Sequence, residues 1–326
     1  YTPTIPISDR VKLFRKHFYQ VAKKQKGIFK TDNEIALAEN RQELKKELEN
    51  AKAIGETTDG KKIYLYATPQ ESVLIKEIGR LREISFRQVK EGSQKNRDID
   101  DFDYCYEHII LWDDKDLEIV GSYRIVKASE MVDAFGVDGL YTSTLFEYKE
   151  SFGKYLSSSI ELGRSFVQPK YWNSRALDYL WQGIGAYLKT NPDIRYMFGC
   201  VSISNAYNDY ATAMLVFFYM NYFGTKKKSV IHYESYEMSE SNKRKLDELF
   251  FKNDYAKDIV ILKHELQLMG CSIPTLYKQY SELCEDGGVE FMDFGRDKEF
   301  ENCIDGFIVV DTHKLKSQKR KRYLER

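Results

Sequence analysis

The segment between residues 161 and 205 constrains the fold more than any other part of the chain. An apolar run that carries Glu161 and Arg164 leads through a short loop into a helical run, and a second apolar run follows. This order predicts a strand over 160–167, a helix over 175–189 and a strand over 195–202. We therefore expect a β-α-β unit in which the helix connects two parallel strands.

Helices and strands alternate along the rest of the chain, which predicts an α/β or mixed α+β fold. Ser8 is predicted to cap the first helix, and Thr68-Pro69-Gln70 is predicted to begin the third. The other predicted strands cover about 61–67, 107–112, 117–126, 289–294 and 306–310, and the predicted helices cover 8–24, 32–53, 68–89, 130–135, 207–223, 240–251, 255–268 and 274–285.

Composition excludes several classes of protein. The 326 residues carry no formal net charge, so charge indicates no nucleic-acid partner. No apolar run reaches the roughly 18 residues of a membrane-spanning helix. Five scattered cysteines indicate reduced thiols, and five distant histidines predict no metal site. We expect a cytoplasmic protein without a resident metal or cofactor.

Glu161 and Arg164 are the charged residues of an apolar strand, where unpaired charge is costly. Two interpretations stay open: an ion pair with Arg164 or Arg124 inside the protein, or an active site. Residues three apart point to opposite faces of a strand unless a bulge lies between them, and Gly163 permits one. A bulge also exposes backbone N–H groups that can bind an oxyanion.

A second pattern, His108 followed by Asp113, has the spacing of the catalytic pair in glycerolipid acyltransferases. Here His108 lies inside an apolar strand, and no glycine-rich phosphate-binding block follows it. We therefore interpret this match as a chance spacing.

Several blocks between residues 63 and 312 together resemble the ornithine-lipid-synthase type of N-acyltransferase, a family of the GNAT superfamily also labelled haemolysin. The same order of blocks is similar to that of acyl-homoserine-lactone synthases and N-acyl amino acid synthases. The blocks are Leu81–Arg87, Asp98–Asp103, Gly121–Arg124, Tyr141–Phe146, Glu161–Ser165 and Phe198–Asn205.

The resemblance implies a GNAT-like acyltransferase fold, with a central mixed, twisted sheet, a splayed V between its middle strands and helices on its flanks. It implies transfer of a long (3-hydroxy)acyl chain from an acyl carrier protein thioester to the α-amine of an amino acid such as ornithine or glycine, which gives a lyso-aminolipid. The diphosphate-binding loop of other GNAT enzymes is replaced by residues 171–176, which favours the carrier protein over coenzyme A as donor. Two alternatives are an autoinducer synthase that uses S-adenosylmethionine and a non-catalytic, membrane-associated haemolysin-like protein.

On this basis we assign catalysis to Glu161 and Arg164, with Glu161 accepting a proton from the substrate amine. Asp100 and Asp103 are predicted to hold arginines in place or to cap a turn, and Arg82 and Arg124 are alternatives for binding the substrate carboxylate. The serines and the asparagine are expected to bind the donor or the acceptor, although Asn205 is also a candidate cap for helix 207–223. The predicted substrate-binding residues are Arg82, Phe86, Asp100, Asp103, Arg124, Ser165, Phe166, Ser202, Ser204 and Asn205, with Phe198 and the aromatic residues of 217–223 as further candidates for an acyl tunnel.

Residues 1–60 are predicted to form a helical extension, and residues 61–326 the N-acyltransferase domain. The extension resembles the tail that follows a lysophospholipid-type acyltransferase domain in longer relatives, so we expect such a domain upstream or as a partner. Between residues 8 and 26 the net charge is +6. The helix there is expected either to contact an anionic inner membrane or to pack on a neighbouring domain.

Overall fold

One sheet of eight strands forms the centre of the molecule in a computed structural model that describes residues 5–29, 31–67 and 71–325. The strand order is β1-β2-β3-β4-β6-β7-β10-β9, and β5 and β8 pair separately. The strands are β1 (Lys52–Glu56), β2 (Lys62–Ala67), β3 (Glu107–Asp113), β4 (Glu118–Lys127), β5 (Phe146–Tyr148), β6 (Ser159–Val167), β7 (Tyr196–Ile203), β8 (Val230–His232), β9 (Val289–Asp297) and β10 (Cys303–Asp311).

Helices cover both faces of this sheet because alternate strand residues are apolar on each side. Ile109 and Leu111 pack in the same cluster as α6, whereas Ile110 and Trp112 pack with α2 and α3. The α-helices are α1 (Ile7–Ala22), α2 (Arg41–Leu48), α3 (Val73–Gln88), α4 (Ala128–Phe135), α5 (Gly153–Leu156), α6 (Ala176–Thr190), α7 (Asp209–Phe223), α8 (Glu240–Leu249), α9 (Tyr255–Leu268), α10 (Thr275–Ser281) and α11 (Ser317–Tyr323). The predicted mixed α/β fold class is confirmed.

The middle of the sheet opens as a V. Strands β6 and β7 run parallel, but they pair only where Ser159–Glu161 meets Tyr196–Phe198. The other neighbouring pairs of the eight-stranded sheet are antiparallel. Beyond residue 161 the two strands separate, so the predicted β-α-β unit and its splayed V are both present.

A bulge distorts β6 beside the V. Ser122 of β4 lies opposite Phe166, and Arg124 lies opposite Gly163. The single residue between them on β4 therefore faces two residues of β6, Arg164 and Ser165. The left-handed residue of the bulge is Arg164, with φ of 49°, and not the neighbouring glycine. Such a bulge changes the direction in which its side chains point.

Three local expectations need correction. The predicted start of the third helix at Thr68-Pro69-Gln70 lies outside the described residues. The helix that the structure describes, α3, begins at Val73, and the side chain of Ser72 caps it. Ser8 lies inside α1 and does not cap it, because the helix begins at Ile7 after Pro6. The expected helix over 32–53 is only α2, because the chain then enters β1 and pairs with β2.

The N-terminal segment, residues 5–29, stands apart from the core. None of its described residues belongs to the three hydrophobic clusters of the molecule. By contrast, Leu44 and Leu48 of α2 are buried against α3, and β1 extends the main sheet. The predicted division of the chain at residue 60 stays a prediction.

Candidate active site

Three adjoining cavities lie along the V. An apolar cleft of about 370 Å³ borders a central cavity of about 480 Å³, and an outer cavity of about 580 Å³ follows. Ser165 lines the apolar cleft and the central cavity, whereas Arg164 and Tyr141 line the central and outer cavities. The bulge of β6 therefore places consecutive side chains along the whole series.

The apolar cleft contains two of the predicted acyl-binding residues, Phe86 and Phe166. Trp172 also lines it and is 46% exposed, with its ring nitrogen donating a hydrogen bond to the carbonyl of Val167 at 2.7 Å. The tryptophan was not predicted, although it lies in the loop that departs from the GNAT pattern.

The other predicted tunnel residues are core residues. Phe198 stacks on Phe307 at 5.6 Å, and the aromatic side chains of α7 pack against Phe250, Tyr277 and Phe291. The tunnel assignment for Phe198 and for residues 217–223 was therefore wrong, because these side chains pack in two separate hydrophobic clusters and line none of the three cavities.

The central cavity is lined by three carboxylates that sequence analysis missed: Glu91, Asp297 and Asp305. Asp305 belongs to β10 and lies opposite Ser202 of β7. Burial and the charge of Asp297 raise the pKa of Asp305 to about 6, and burial together with Asp305 raises the pKa of Glu91 to about 8. Burial also raises the pKa of Asp297. A carboxylate inside the apolar run of β10 was the signal that could have revealed Asp305.

Three arginines and three aspartates form a cluster that is buried at Arg82, Arg124 and Asp103 and reaches the outer cavity at Asp98, Asp100 and Arg164. Asp103 is fully buried and lies 2.8 Å from Arg82 and 3.3 Å from Arg124. Burial alone would raise the pKa of Asp103, but the charges of the two arginines hold it well below its usual range. Arg164 joins the cluster through Asp98 at 3.4 Å and Asp100 at 3.3 Å.

The predicted pairing of Asp100 and Asp103 with arginines is thus present. Asp103 also accepts a hydrogen bond from the backbone N–H of Asp100 at 3.0 Å, so the turn-capping alternative holds as well. The proposal that Arg82 and Arg124 bind a substrate carboxylate is contradicted. Both guanidinium groups are buried among aspartates, and neither lines the three cavities.

Glu161 is buried behind the cavity walls and lines none of the three cavities. Its carboxylate accepts hydrogen bonds from the Thr142 N–H at 2.7 Å, the Thr142 hydroxyl at 2.6 Å, the Tyr141 N–H at 3.1 Å and the Tyr106 hydroxyl. Burial raises the pKa of Glu161, while the hydrogen bonds from Thr142 and Tyr106 oppose the rise. Within the described chain no salt bridge joins Glu161 to an arginine, so the ion-pair alternative is wrong. Because its carboxylate lines none of the three cavities, the structure gives no support to the predicted role of Glu161 as the acceptor of the amine proton.

Arg164 lies where the central and outer cavities meet. It donates a hydrogen bond to the Tyr141 hydroxyl at 2.9 Å, and its guanidinium lies 4.2 Å from the centre of the Phe300 ring. Of the two residues predicted to be catalytic, Arg164 lines the cavities and Glu161 does not.

A comparison with protein families matches residues 81–182 to the acetyltransferase (GNAT) domain. The glycine N(alpha)-acyltransferase of Phocaeicola vulgatus is 34% identical over 263 residues, which cover 77% of this chain and 80% of that protein. The chain belongs to this N-acyltransferase family. The L-ornithine N(alpha)-acyltransferase of Rhizobium meliloti is 31% identical over 148 residues, 43% of this chain and 48% of that protein. A solved CoA-dependent acyl-homoserine lactone synthase aligns over 70% of this chain and 74% of its own, with 12% identity and a TM-score of 0.30.

The predicted family and the enzyme class are therefore confirmed, and the non-catalytic haemolysin-like alternative is wrong. In this N-acyltransferase, Ser165, Ser202 and Ser204 line the central cavity, but the Ser204 hydroxyl is bonded to the carbonyl of Val89. Asn205 is exposed and lines none of the three cavities. It does not cap α7 either, because the Asn208 side chain accepts the hydrogen bond from Ala211.

His108 is not a catalytic residue of the glycerolipid type. Its ring lies 3.0 Å from the backbone oxygen of Asp103, and burial lowers its pKa to about 4. Asp113 lies at the other end of β3, on the opposite strand face. Among the residues that the structure describes, no group of three or more His, Cys, Asp or Glu is arranged to hold a metal ion.

Proposed function

We propose that the protein transfers a long acyl chain from an acyl carrier protein thioester to the α-amine of an amino acid. The observation that supports this most is the separation of β6 and β7 beyond residue 161, with an apolar cleft on one side and a carboxylate-lined cavity on the other. The names of the relatives agree with an amino acid acceptor. The product is then an N-acyl amino acid, a lyso-aminolipid.

The two substrates would meet in the central cavity. The thioester arm can pair with the open edge of β6, and its acyl chain can extend along Phe86 and Phe166, since each buried methylene contributes about 0.8 kcal/mol. An amino acid entering through the outer cavity brings its ammonium group towards Asp305 and Asp297. The outer cavity is lined by four cations, Lys95, Arg164, Arg296 and Lys298, and Arg164 is the one of these that also lines the central cavity, which suits it to the substrate carboxylate.

The reaction balances with the groups present. An α-ammonium is mostly protonated near pH 7, and Asp305, with a pKa of about 6, can accept one proton from it. The amine nitrogen then attacks the carbonyl carbon, and the carbon–sulfur bond breaks. The second nitrogen proton passes to the departing thiolate and Asp305 releases the first proton to solvent, so the products are an amide and a free thiol.

The choice of carrier protein as donor is supported by charge at the cleft. Arg175 and Arg322 are about half exposed, and both pair with Asp178, next to Leu177 in the cleft wall. The basic segments 226–228, 243–245 and 314–322 add further positive charge. An acidic carrier protein would be attracted to such a surface, particularly at low salt.

Mass spectrometry of the reaction products tests this function directly. With a mixture of amino acids that includes glycine and ornithine, we expect an N-acyl amino acid, formed at least about 10-fold faster from acyl carrier protein than from the matching acyl-coenzyme A. A lactone formed from S-adenosylmethionine would indicate the autoinducer alternative, and equal kcat/KM for the two donors would contradict the carrier-protein assignment.

A matched pair of variants controls this comparison. Arg175→Gln with Arg322→Gln should lower kcat/KM for the carrier-protein donor and leave the coenzyme A donor unchanged. Lys45→Gln with Lys46→Gln changes the charge equally on exposed α2, away from the cleft, and should affect neither donor.

The N-terminal helix supports a contact with anionic lipid. Ile7, Val11 and Phe18 lie on one face of α1 and are 77%, 61% and 65% exposed, although the segment carries a net charge of +6. Exposed apolar residues beside basic ones suit the surface of an anionic bilayer, where the product belongs. No α-helix in the described parts of the chain meets the length and hydropathy of a bilayer-crossing segment.

We therefore expect Lys16→Glu with Lys23→Glu to weaken binding to anionic vesicles by at least about 30-fold, because each basic residue near such a surface contributes about 1 kcal/mol. Co-sedimentation with vesicles of mixed neutral and anionic phospholipid measures the effect. Lys45→Glu with Lys46→Glu makes the same charge change on α2 and should bind normally. Unchanged binding of the α1 variant would show that this helix packs on protein instead.

A further inference from the structure

We propose that Tyr141 is a further catalytic residue, whose hydroxyl group donates a hydrogen bond to the thioester carbonyl oxygen as that oxygen gains negative charge. The inference rests on the proposed function, since it requires acyl transfer in the central cavity. It adds a side-chain oxyanion donor to the backbone N–H groups that a bulge of β6 is predicted to expose.

The position of Tyr141 supports this role. Its half-buried side chain lines both the central and the outer cavity, between the proposed places of thioester and amino acid. Arg164 donates to its hydroxyl oxygen at 2.9 Å, and the guanidinium lies 4.5 Å from the ring centre. No acceptor for the hydroxyl hydrogen of Tyr141 lies among the described residues, so that hydrogen is available to a ligand.

The backbone of Tyr141 is held from behind. Its N–H lies 2.8 Å from the Tyr106 hydroxyl and 3.1 Å from Glu161, which also holds the N–H and hydroxyl of Thr142. The ring meets Phe102 edge-on at 5.6 Å. A donor fixed in this way needs no reorganisation when charge develops, which is the condition for effective oxyanion stabilisation. Glu161 then acts as a positioning residue for this loop.

The protonation state also fits a hydrogen-bond donor. Burial raises the pKa of Tyr141, and although the charge of Arg164 opposes this, the hydroxyl keeps its proton. As the amine attacks, the carbonyl electron pair moves to oxygen and the Tyr141 O–H donates to it without transferring its proton. The pair returns to carbon when the thiolate leaves, so Tyr141 ends the cycle unchanged.

Tyr141→Phe removes the hydroxyl and keeps the ring contacts. We expect kcat to fall by about 10²-fold, the loss typical of one oxyanion donor, with KM for both substrates changed less than about threefold. Tyr64→Phe removes the hydroxyl of another half-buried tyrosine, on β2 away from the cavities, and should leave kcat unchanged.

A dithioester donor has sulfur in place of the carbonyl oxygen. It distinguishes a hydrogen bond from Tyr141 to that oxygen from a structural role in which Tyr141 only holds the Arg164 side chain in place. Sulfur accepts hydrogen bonds weakly, so the slowing caused by the dithioester should be at least about 10-fold smaller in Tyr141→Phe than in the wild type. An equal slowing in both proteins would overturn the assignment of Tyr141 while leaving the proposed function intact. A wild-type protein that forms no N-acyl amino acid from the ordinary thioester would overturn both.

Discussion

Replacing Asp305 with Asn lowers kcat by about 10²-fold or more while donor binding persists, because the amine then lacks its proton acceptor. The wild-type rate should rise with pH through about 6, where Asp305 ionises, and this step should be missing from the variant. Steady-state kinetics from pH 5 to 8 measure both effects. A variant with near-normal kcat and an unchanged pH profile would exclude Asp305 as the base.

The same substitution should stabilise the protein. The pKa of Asp305 is raised in the folded state, so its ionisation destabilises the fold as pH rises from about 4 to about 6. Asp305→Asn removes that charge, and we expect a higher free energy of unfolding than wild type at pH 7, on the order of 3 kcal/mol.

Asp311 provides a control of opposite sign on the same strand. Burial alone would raise its pKa, but the ion pair with Arg195 at 2.8 Å outweighs burial and lowers it. The stability that Asp311 contributes is present at neutral pH and is lost in acid. Asp311→Asn should therefore destabilise the protein at pH 7 and leave kcat unchanged.

Loss of Asp103 should have the largest effect on stability. Asp103→Asn leaves the buried charges of Arg82 and Arg124 without their shared partner, and breaking a buried pair costs about 3–5 kcal/mol. Urea unfolding should show a much lower midpoint with an unchanged slope. Asp101→Asn, in the same short helical turn but exposed, should change stability by less than about 0.5 kcal/mol. A similar midpoint for both variants would contradict the electrostatic role of the cluster.

Local patterns of sequence predict much of this fold. The β6–α6–β7 unit follows from apolar runs of the right length. The sequence also predicts that the carboxylates of Asp100 and Asp103 pair with arginines such as Arg82, because unpaired charges are costly inside a protein. The bulge was expected at the glycine, yet Arg164 takes the left-handed conformation. The hydrogen bonds and ion pairs that hold its side chain come from distant parts of the chain, and sequence spacing carries no information about them.

The carboxylates of the central cavity show the same limit. Asp305 lies 103 positions after Ser202 along the chain, and only the antiparallel pairing of β10 with β7 places the two side by side. Glu161 illustrates the reverse case. Its charge was correctly identified as unusual, but its hydrogen bonds to Thr142, Tyr141 and Tyr106 direct it away from the cavity.

The open V has a consequence for how such enzymes diverge. Where β6 and β7 separate, the backbone groups that face the gap have no strand to pair with, so water or a ligand must satisfy them. A donor bound through those groups is recognised by atoms that every residue possesses. The side chains along the gap can then change while the protein still binds the acyl donor. Specificity for a different amino acid requires changes only in the side chains that line the outer cavity.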